Sequence, residues 1–247
     1  VHTPAYDFFR DGTNVGHDYA YDASGNMTED LNRNISVTYN HLNKPTKVQM
    51  GDYNPAPSTT SDHRIEYIYS ADGTKLRQKV MFTSLTQGAQ QGGGSGQVNI
   101  VNVVTKVTDY VHAWQYEDID GNGSSPKSVV HITHAKGRSV PVNGQWIQEF
   151  FLKDHLGNPR VIFGDYGLAF KLTPDPLGSD LRQVIDGYYP FGLTHSSDQS
   201  VVTNPENQYL YNGKEKQDEL GLGWYDYGFR WYMPAIARFT SVDPLAE

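Results

Sequence analysis

YDASG fills residues 21–25, YNHLN fills 39–43 and YSADG fills 69–73. The second copy starts 18 residues after the first, and the third starts 30 after the second. The surplus of 12 matches GDYNPAPSTTSD (51–62), a Pro-, Ser- and Thr-rich stretch that reads as a loop inserted between strands. One unit therefore recurs on a period near 18: Tyr, then Asp, Asn or Ser, two free positions, then Gly or Asn. Each letter has a physical reason. The Tyr ends a strand and packs its ring on a neighbour. The Asp, Asn or Ser can bond the backbone two residues on, and the Gly or Asn tolerates positive φ. Between the turns, Ile35-Ser-Val-Thr-Tyr39 and Ile65-Glu-Tyr-Ile-Tyr69 alternate with the period of a strand. The unit is strand–turn–strand, repeated.

Composition agrees. The chain has 247 residues, 37% of them hydrophobic, with 17 Tyr and 24 + 13 = 37 Gly and Pro. Strand formers and turn formers dominate. The net charge of −8 opposes unspecific nucleic-acid binding and gives no attraction to an anionic membrane surface. With no Cys there is no disulfide framework and no thiolate metal site. No apolar run approaches the ~20 residues that span a bilayer as a helix. The start, VHTPAYDFF, lacks the basic and apolar regions of a signal peptide, so the chain reads as an internal piece of something longer.

Further along, QGAQQGGGSGQ (87–97) is low-complexity and reads as a long surface loop or a domain separator. VNIVNVVTKVTDYVHAW (98–114) and SVVHITHA (128–135) are β-branched strand sequences. NGKEKQDELGL (212–222) opens polar and closes on Gly, which predicts one short helix. PDPLGSDLRQVI (174–185) is a weaker turn or helical candidate.

Five landmarks then occur in order: the Tyr repeats, HAKGR (134–138), FLKDHLGNPRVIF (151–163), YYPFG (188–192) and YNGKEKQDELGLGWYDYGFRWYMPAIARFTSVDPLAE (211–247). Together they resemble the RHS-repeat, or YD-repeat, family. Residues 1–128 resemble its YD-repeat strands with inserted loops. Residues 129–247 resemble its RHS repeat-associated core, in a form similar to those from Bacteroidetes. The resemblance implies a mainly β fold: a coiling antiparallel sheet of YD hairpins, part of a cocoon-like shell, ended by a core plug. It implies that the shell encloses and delivers a C-terminal toxin or effector. The expected partners are the remainder of the parent protein, that cargo and secretion machinery such as the type IX system. The expected location is secreted or on the cell surface, with no nucleic-acid partner and no membrane insertion. One departure stands out. Where the family form reads Arg-Tyr-Tyr-Asp-Pro-x-x-Gly-Arg-Phe, this chain has Met233 for the Asp and Ala237 for the Gly, so the turn there is expected to be made differently.

Asp154-His155 invites a catalytic reading, but adjacent residues on a strand point to opposite faces and a nucleophile is also needed. Asp154 and Gly157 at positions one and four fit a β-turn, with Asn158, Pro159 and Arg160 re-entering a strand. The resemblance implies a second candidate. Some family members cut themselves with an Arg, the Asp of a following DP, and a further Asp. Carried over, these are Arg230 and Asp243, half of an aspartyl site that needs a second carboxylate to share a proton. A structural ion pair is the alternative. Asp118, Asp120 and Asn122 match the first half of a calcium loop, but Val129 stands where the bidentate Glu belongs. Ca²⁺ is the sole cofactor candidate. His131 and His134 are spaced to opposite strand faces and are not a metal pair. Trp114, Tyr116 and Trp146 either pack inward or line a sugar-binding groove. The readings carried forward are a containing shell, a self-cleaving protease core, and an extracellular binding module.

Overall fold

The computed structural model describes residues 16–51, 63–87, 98–118, 126–164, 181–185, 187–194, 199–201, 207–243 and 245. The fold is mainly β and antiparallel, in two compact units. Among the described residues no helix is long and apolar enough to cross a membrane.

The first unit contains β1 (Tyr19–Tyr21), β2 (Met27–Asp30), β3 (Ile35–Tyr39), β4 (Pro45–Met50), β5 (His63–Tyr69), β6 (Lys75–Gln87) and most of β7 (Val98–Val111). Each strand pairs with the next in the chain. Val37 faces Val48, Val48 faces Ile65, and Ile65 faces Val80, so one row of β-branched side chains crosses four strands. All four are buried, while Ser36 and Thr38 between them are exposed. Alternation of period two thus gives this sheet its buried face.

The second unit begins with residues 110–116, including most of β8 (Trp114–Asp118). It continues through β9 (Ser128–His134), β10 (Gly137–Val142), β11 (Gln145–Lys153), β12 (Pro159–Gly164), β13 (Leu181–Ile185) and β14 (Gln199–Val201). Here too β9 to β14 pair in chain order. A second, four-stranded meander follows: β15 (Glu215–Gln217), β16 (Trp224–Asp226), β17 (Trp231–Met233) and β18 (Arg238–Phe239). Its core is aromatic. Tyr225 and Tyr232 pack with Leu210, and Tyr188, Tyr211 and Tyr227 close around them. Trp224 and Trp231 meet edge to face at 6.2 Å.

The short helix expected over residues 212–222 is absent. That stretch is a 3₁₀ turn at Tyr211–Gly213, strand β15, and a second 3₁₀ turn at Glu219–Gly221. Asn212 (φ 52°) and Leu220 (φ 54°) sit in the left-handed region, which a helix does not admit. Residues 181–185 of the weaker helical candidate are strand β13, and the rest of that candidate lies outside the described residues. The inserted loop at 52–62 and the Gly-rich stretch at 88–97 also lie outside them.

Among the described residues one turn geometry recurs three times in each unit. It starts at Asp22, Asn40 and Ser70 in the first, and at Asp154, Tyr189 and Leu210 in the second. In all six, the first residue's N–H donates to the fifth residue's carbonyl, and the fourth residue's N–H donates to the first carbonyl. The fourth residues, Gly25, Asn43, Gly73, Gly157, Gly192 and Gly213, all have positive φ. This is a type I turn closed by a bulge, the ordinary three-residue hairpin loop. The residue before each turn pairs with the sixth: Tyr21 with Met27, Tyr39 with Pro45, Tyr69 with Lys75, Lys153 with Pro159, Tyr188 with Thr194, Tyr209 with Glu215.

Candidate functional site

Successive turns are tied together by side chains. In the first unit Asn26 Nδ2 donates to Asn43 Oδ1 at 2.9 Å, and Lys44 Nζ donates to the Gly73 carbonyl at 2.6 Å. The repeat tyrosines do the same job on the other flank. Tyr39 Oη donates to the Met27 carbonyl at 2.8 Å and Tyr69 Oη to the Pro45 carbonyl at 2.9 Å. Each ring therefore ties its own hairpin to the preceding one, a role beyond ring packing.

Asp154, Gly157, Asn158 and Arg160 are brought together in and beside one such turn. Asp154 Oδ1 accepts from the N–H of Leu156 (2.9 Å) and of Asn158 (3.0 Å). Asp154 Oδ2 accepts from Asn158 Nδ2 at 2.7 Å, with Arg160 Nη1 at 3.8 Å. Burial pulls the Asp154 carboxyl upward, but the bonds from Asn158 and Leu156 outweigh it and hold it below the ordinary carboxylate value. Gly157 supplies φ 85°. Asn158 then reaches forward, its Oδ1 accepting from the Asn212 N–H at 2.6 Å, which joins this turn to the one at Leu210. His155 is exposed at the tip. The carboxylate thus serves the turn, and its geometry gives it no base to activate.

Arg230 and Asp243 are also brought together. Arg230 Nη2 lies 2.7 Å from Asp243 Oδ2, and the guanidinium carbon stands 4.0 Å from the centre of the Phe239 ring. The pair is an Arg–carboxylate contact with a stacked aromatic lid. An aspartyl mechanism needs a second carboxyl to share a proton with the first. What is in place is one carboxylate and its cation. Close by, Met233 is buried in β17 and Ala237 stands at φ 56°. The backbone at 237 takes the left-handed conformation that favours Gly, so this departure from the family form changes the residue and leaves the glycine-type backbone in place.

Of the calcium candidates, Asp118 is buried at the end of β8, and Asp120 and Asn122 lie outside the described residues. His131 is buried and His134 exposed, as expected of opposite faces.

Of the aromatic trio, the two tryptophans do not pack inward, and Tyr116 is half-buried. Trp114 is 40% exposed and Trp146 48%. Trp114 stacks on Tyr116 at 6.2 Å and meets Trp146 edge-on at 6.4 Å. The register explains it. Pro141 faces Trp146, Ser139 faces Gln148 and Gly137 faces Phe150 on one side of β10 and β11, and that side is open.

The opposite side carries a cluster that the sequence did not point to. Arg138 faces Glu149 across β10 and β11, with Nε 2.5 Å from Oε2. The two side chains are 3% and 2% exposed. His131 lies on the same face of the sheet and is 4% exposed. Over it, the Tyr209 ring stands edge-on at 5.9 Å. Tyr110 Oη bonds Glu215 Oε1 at 3.0 Å, beside the Tyr209–Glu215 pairing. Burial, and then the Arg138 charge, push the His131 imidazole down to about 3. No nucleophile stands in this cluster, so its chemistry is that of charge buried in a packed layer.

No family model and no curated protein matches the sequence. Solved structures do match. A crystal structure of TcdB2-TccC3 aligns with 91% of this chain at TM-score 0.59 and 18% identity. TcdB2-TccC3-TEV, and TcdB2-TccC3 without its hypervariable C-terminal region, align with 91% at TM-score 0.58 and 19% identity. The chain spans about a tenth of the length of those chains (10%, 10% and 9%). The likeness shows the fold alone: this chain's antiparallel sheets are folded like about a tenth of each of those chains.

Proposed function

We propose that this chain is the C-terminal part of an exported RHS-repeat β-shell that encloses and delivers a toxin or effector carried beyond its own end. The observation that carries the reading is the pairing of strands in chain order through one repeated turn, matched over 91% of the chain in TcdB2-TccC3. One of those structures is of TcdB2-TccC3 without its hypervariable C-terminal region, and the C-terminal side is where this reading places a cargo. The chain's own chemistry is then containment, and its partners are the rest of the parent, the cargo and export machinery.

The test uses the parent protein extended past Glu247, wild type beside Asp243→Asn. Each is weighed intact and then exposed to protease before and after urea. The cargo segment is expected to resist digestion while the shell is folded and to be lost once it is unfolded. A cargo cut as fast as the same segment made alone rejects containment. The masses answer a separate question. Two fragments from the wild type and one chain from the variant would make Asp243 part of a self-cleaving site. One chain from both would leave the Arg230–Asp243 pair structural.

The exposed Trp114 and Trp146, with the half-buried Tyr116 stacked on Trp114, support a second reading, an extracellular module whose aromatic face stacks on the C–H face of sugar rings. Titration with soluble oligosaccharides is then expected to give binding that Trp146→Ala weakens about tenfold, the scale of a central aromatic anchor. Equal heats for wild type and variant would remove this reading.

A further inference from the structure

His131 has no use in either reading above, and its surroundings are specific. It is enclosed on the buried face of β9, and neither ring nitrogen has a hydrogen-bond partner. The charged and titratable groups around it are already committed. On the sheet, Arg138 is its cationic neighbour, and the Glu149 carboxylate is taken up by that Arg138. On the overlying segment, Tyr209 covers the ring, Glu215 pairs with Tyr209 and is bonded by Tyr110, and Lys216 is paired with Asp218 at 3.3 Å. Besides the bonds of Asn207 Nδ2 to the Tyr209 carbonyl and of the Lys216 N–H to the Gln208 carbonyl, both at 2.7 Å, the segment is anchored by the pairing of β15 with β16, by the Asn212 N–H on Asn158 Oδ1 and by Leu210 in the aromatic core, so its opening parts those contacts too.

We infer that His131 is an acid-operated release for the segment 207–217: a proton on the enclosed imidazole, beside the Arg138 guanidinium and with no acceptor for its ring N–H groups, lifts that segment off the sheet. A neutral imidazole can sit there as a flat apolar body under Tyr209. A cation cannot, because it loses water, gains no hydrogen bond and meets a like charge. The only relief is solvent, and solvent reaches it once the Tyr209 layer opens. This inference goes beyond the shell reading and does not depend on it. A chain of any function with this cluster would loosen here on acidification.

The sign follows from linkage. The folded imidazole titrates at about 3, well below the ordinary value of 6.5, so the opened form takes up a proton that the closed form refuses. Opening therefore becomes easier as pH falls below about 6.5, by up to tenfold for each pH unit. Hydrogen exchange on the intact chain, corrected for the intrinsic rate at each pH, reads this directly. Between pH 6.5 and 5, protection of residues 207–217 is expected to fall by roughly 15-fold, while the hairpins at 27–50 keep theirs. His131→Phe should flatten that response, and His131→Gln serves if the Phe variant does not fold. An unchanged response in a folded variant overturns the inference. So does a wild-type imidazole that titrates near the ordinary value by NMR while segment 207–217 stays protected, a measurement that needs no variant.

Discussion

Glu149→Ala is expected to cost about 3–5 kcal/mol of stability, the scale for removing one partner of an enclosed ion pair. For a chain of this size that corresponds to roughly 6–20 °C in Tm. Arg138 and Glu149 are 3% and 2% exposed, so the stranded guanidinium has almost no route to water. The companion variant separates the charge from the packing. Arg138→Met with Glu149→Leu removes both charges and keeps the volume, and such replacements are neutral or stabilising by about 1–4 kcal/mol. Urea denaturation of the single and double variants measures both. A single variant within about 1 kcal/mol of the wild type would mean that Arg138 finds other compensation, and the cluster would lose its energetic importance. A double variant as damaged as the single would mean that the pair holds register, which charge-free packing does not replace.

Gly137→Ala is expected to be nearly as severe, by a different route. A Cβ at Gly137 would stand 1.9 Å from the Glu149 carbonyl oxygen and 2.9 Å from its carbon, both backbone atoms. Backbone cannot swing aside as a side chain can, so β10 must move away from β11. Overpacking of this kind costs about 3 kcal/mol or more, at the upper end of its usual range. The control is Gly157→Ala. Nothing lies within 4 Å of a Cβ there, but φ is 85°. Only conformational strain remains, about 1–2 kcal/mol. Thermal melts of the two variants side by side should rank them in that order. The reverse order would place the cost in the turn and show that β10 and β11 separate easily.

Legibility in the sequence followed local chemistry. The turns at Asp22, Asn40, Ser70 and Asp154 could be read because their first residue carries a side-chain acceptor and their fourth is Gly or Asn. The identical turns at Tyr189 and Leu210 could not, because a ring and an aliphatic chain stand where the acceptor should be. Only Gly192 and Gly213 remain as signals. Missing the Leu210 turn is what allowed residues 212–222 to look helical. Leu220 at φ 54° had no signal at all, since its residue type disfavours that conformation. Strand β15 was hidden for another reason. Glu215, Lys216 and Gln217 look like a solvated face, yet all three are buried, with Tyr110 and Asp218 among their polar partners. The Arg138–Glu149 pair was equally invisible. Its members are 11 positions apart on different strands, and charged letters in a strand ordinarily mean an exposed side. Arg230 and Asp243 were named through the resemblance alone; Arg230 precedes β17 and Asp243 follows β18, and the antiparallel return of those strands brings the two together.

The six turns share one closing geometry, and in the first unit this has a directional result. Its three turns, at Asp22, Asn40 and Ser70, all lie between a strand and its partner on the same end of the sheet. The connections on the other end are of unequal length, from the four residues between β2 and β3 to the twelve between β4 and β5. The turn end is locked by the Asn26, Lys44 and tyrosine bonds from one hairpin to the next, and an added residue there would break three hairpins' alignment at once. At the far end Gln49 Nε2 donates to the His63 carbonyl at 3.1 Å and the Gly51 N–H to the Asn34 carbonyl at 2.8 Å. The far rim already carries connections of four, twelve and ten residues, so a peptide grafted into this unit belongs there and not at the turn end.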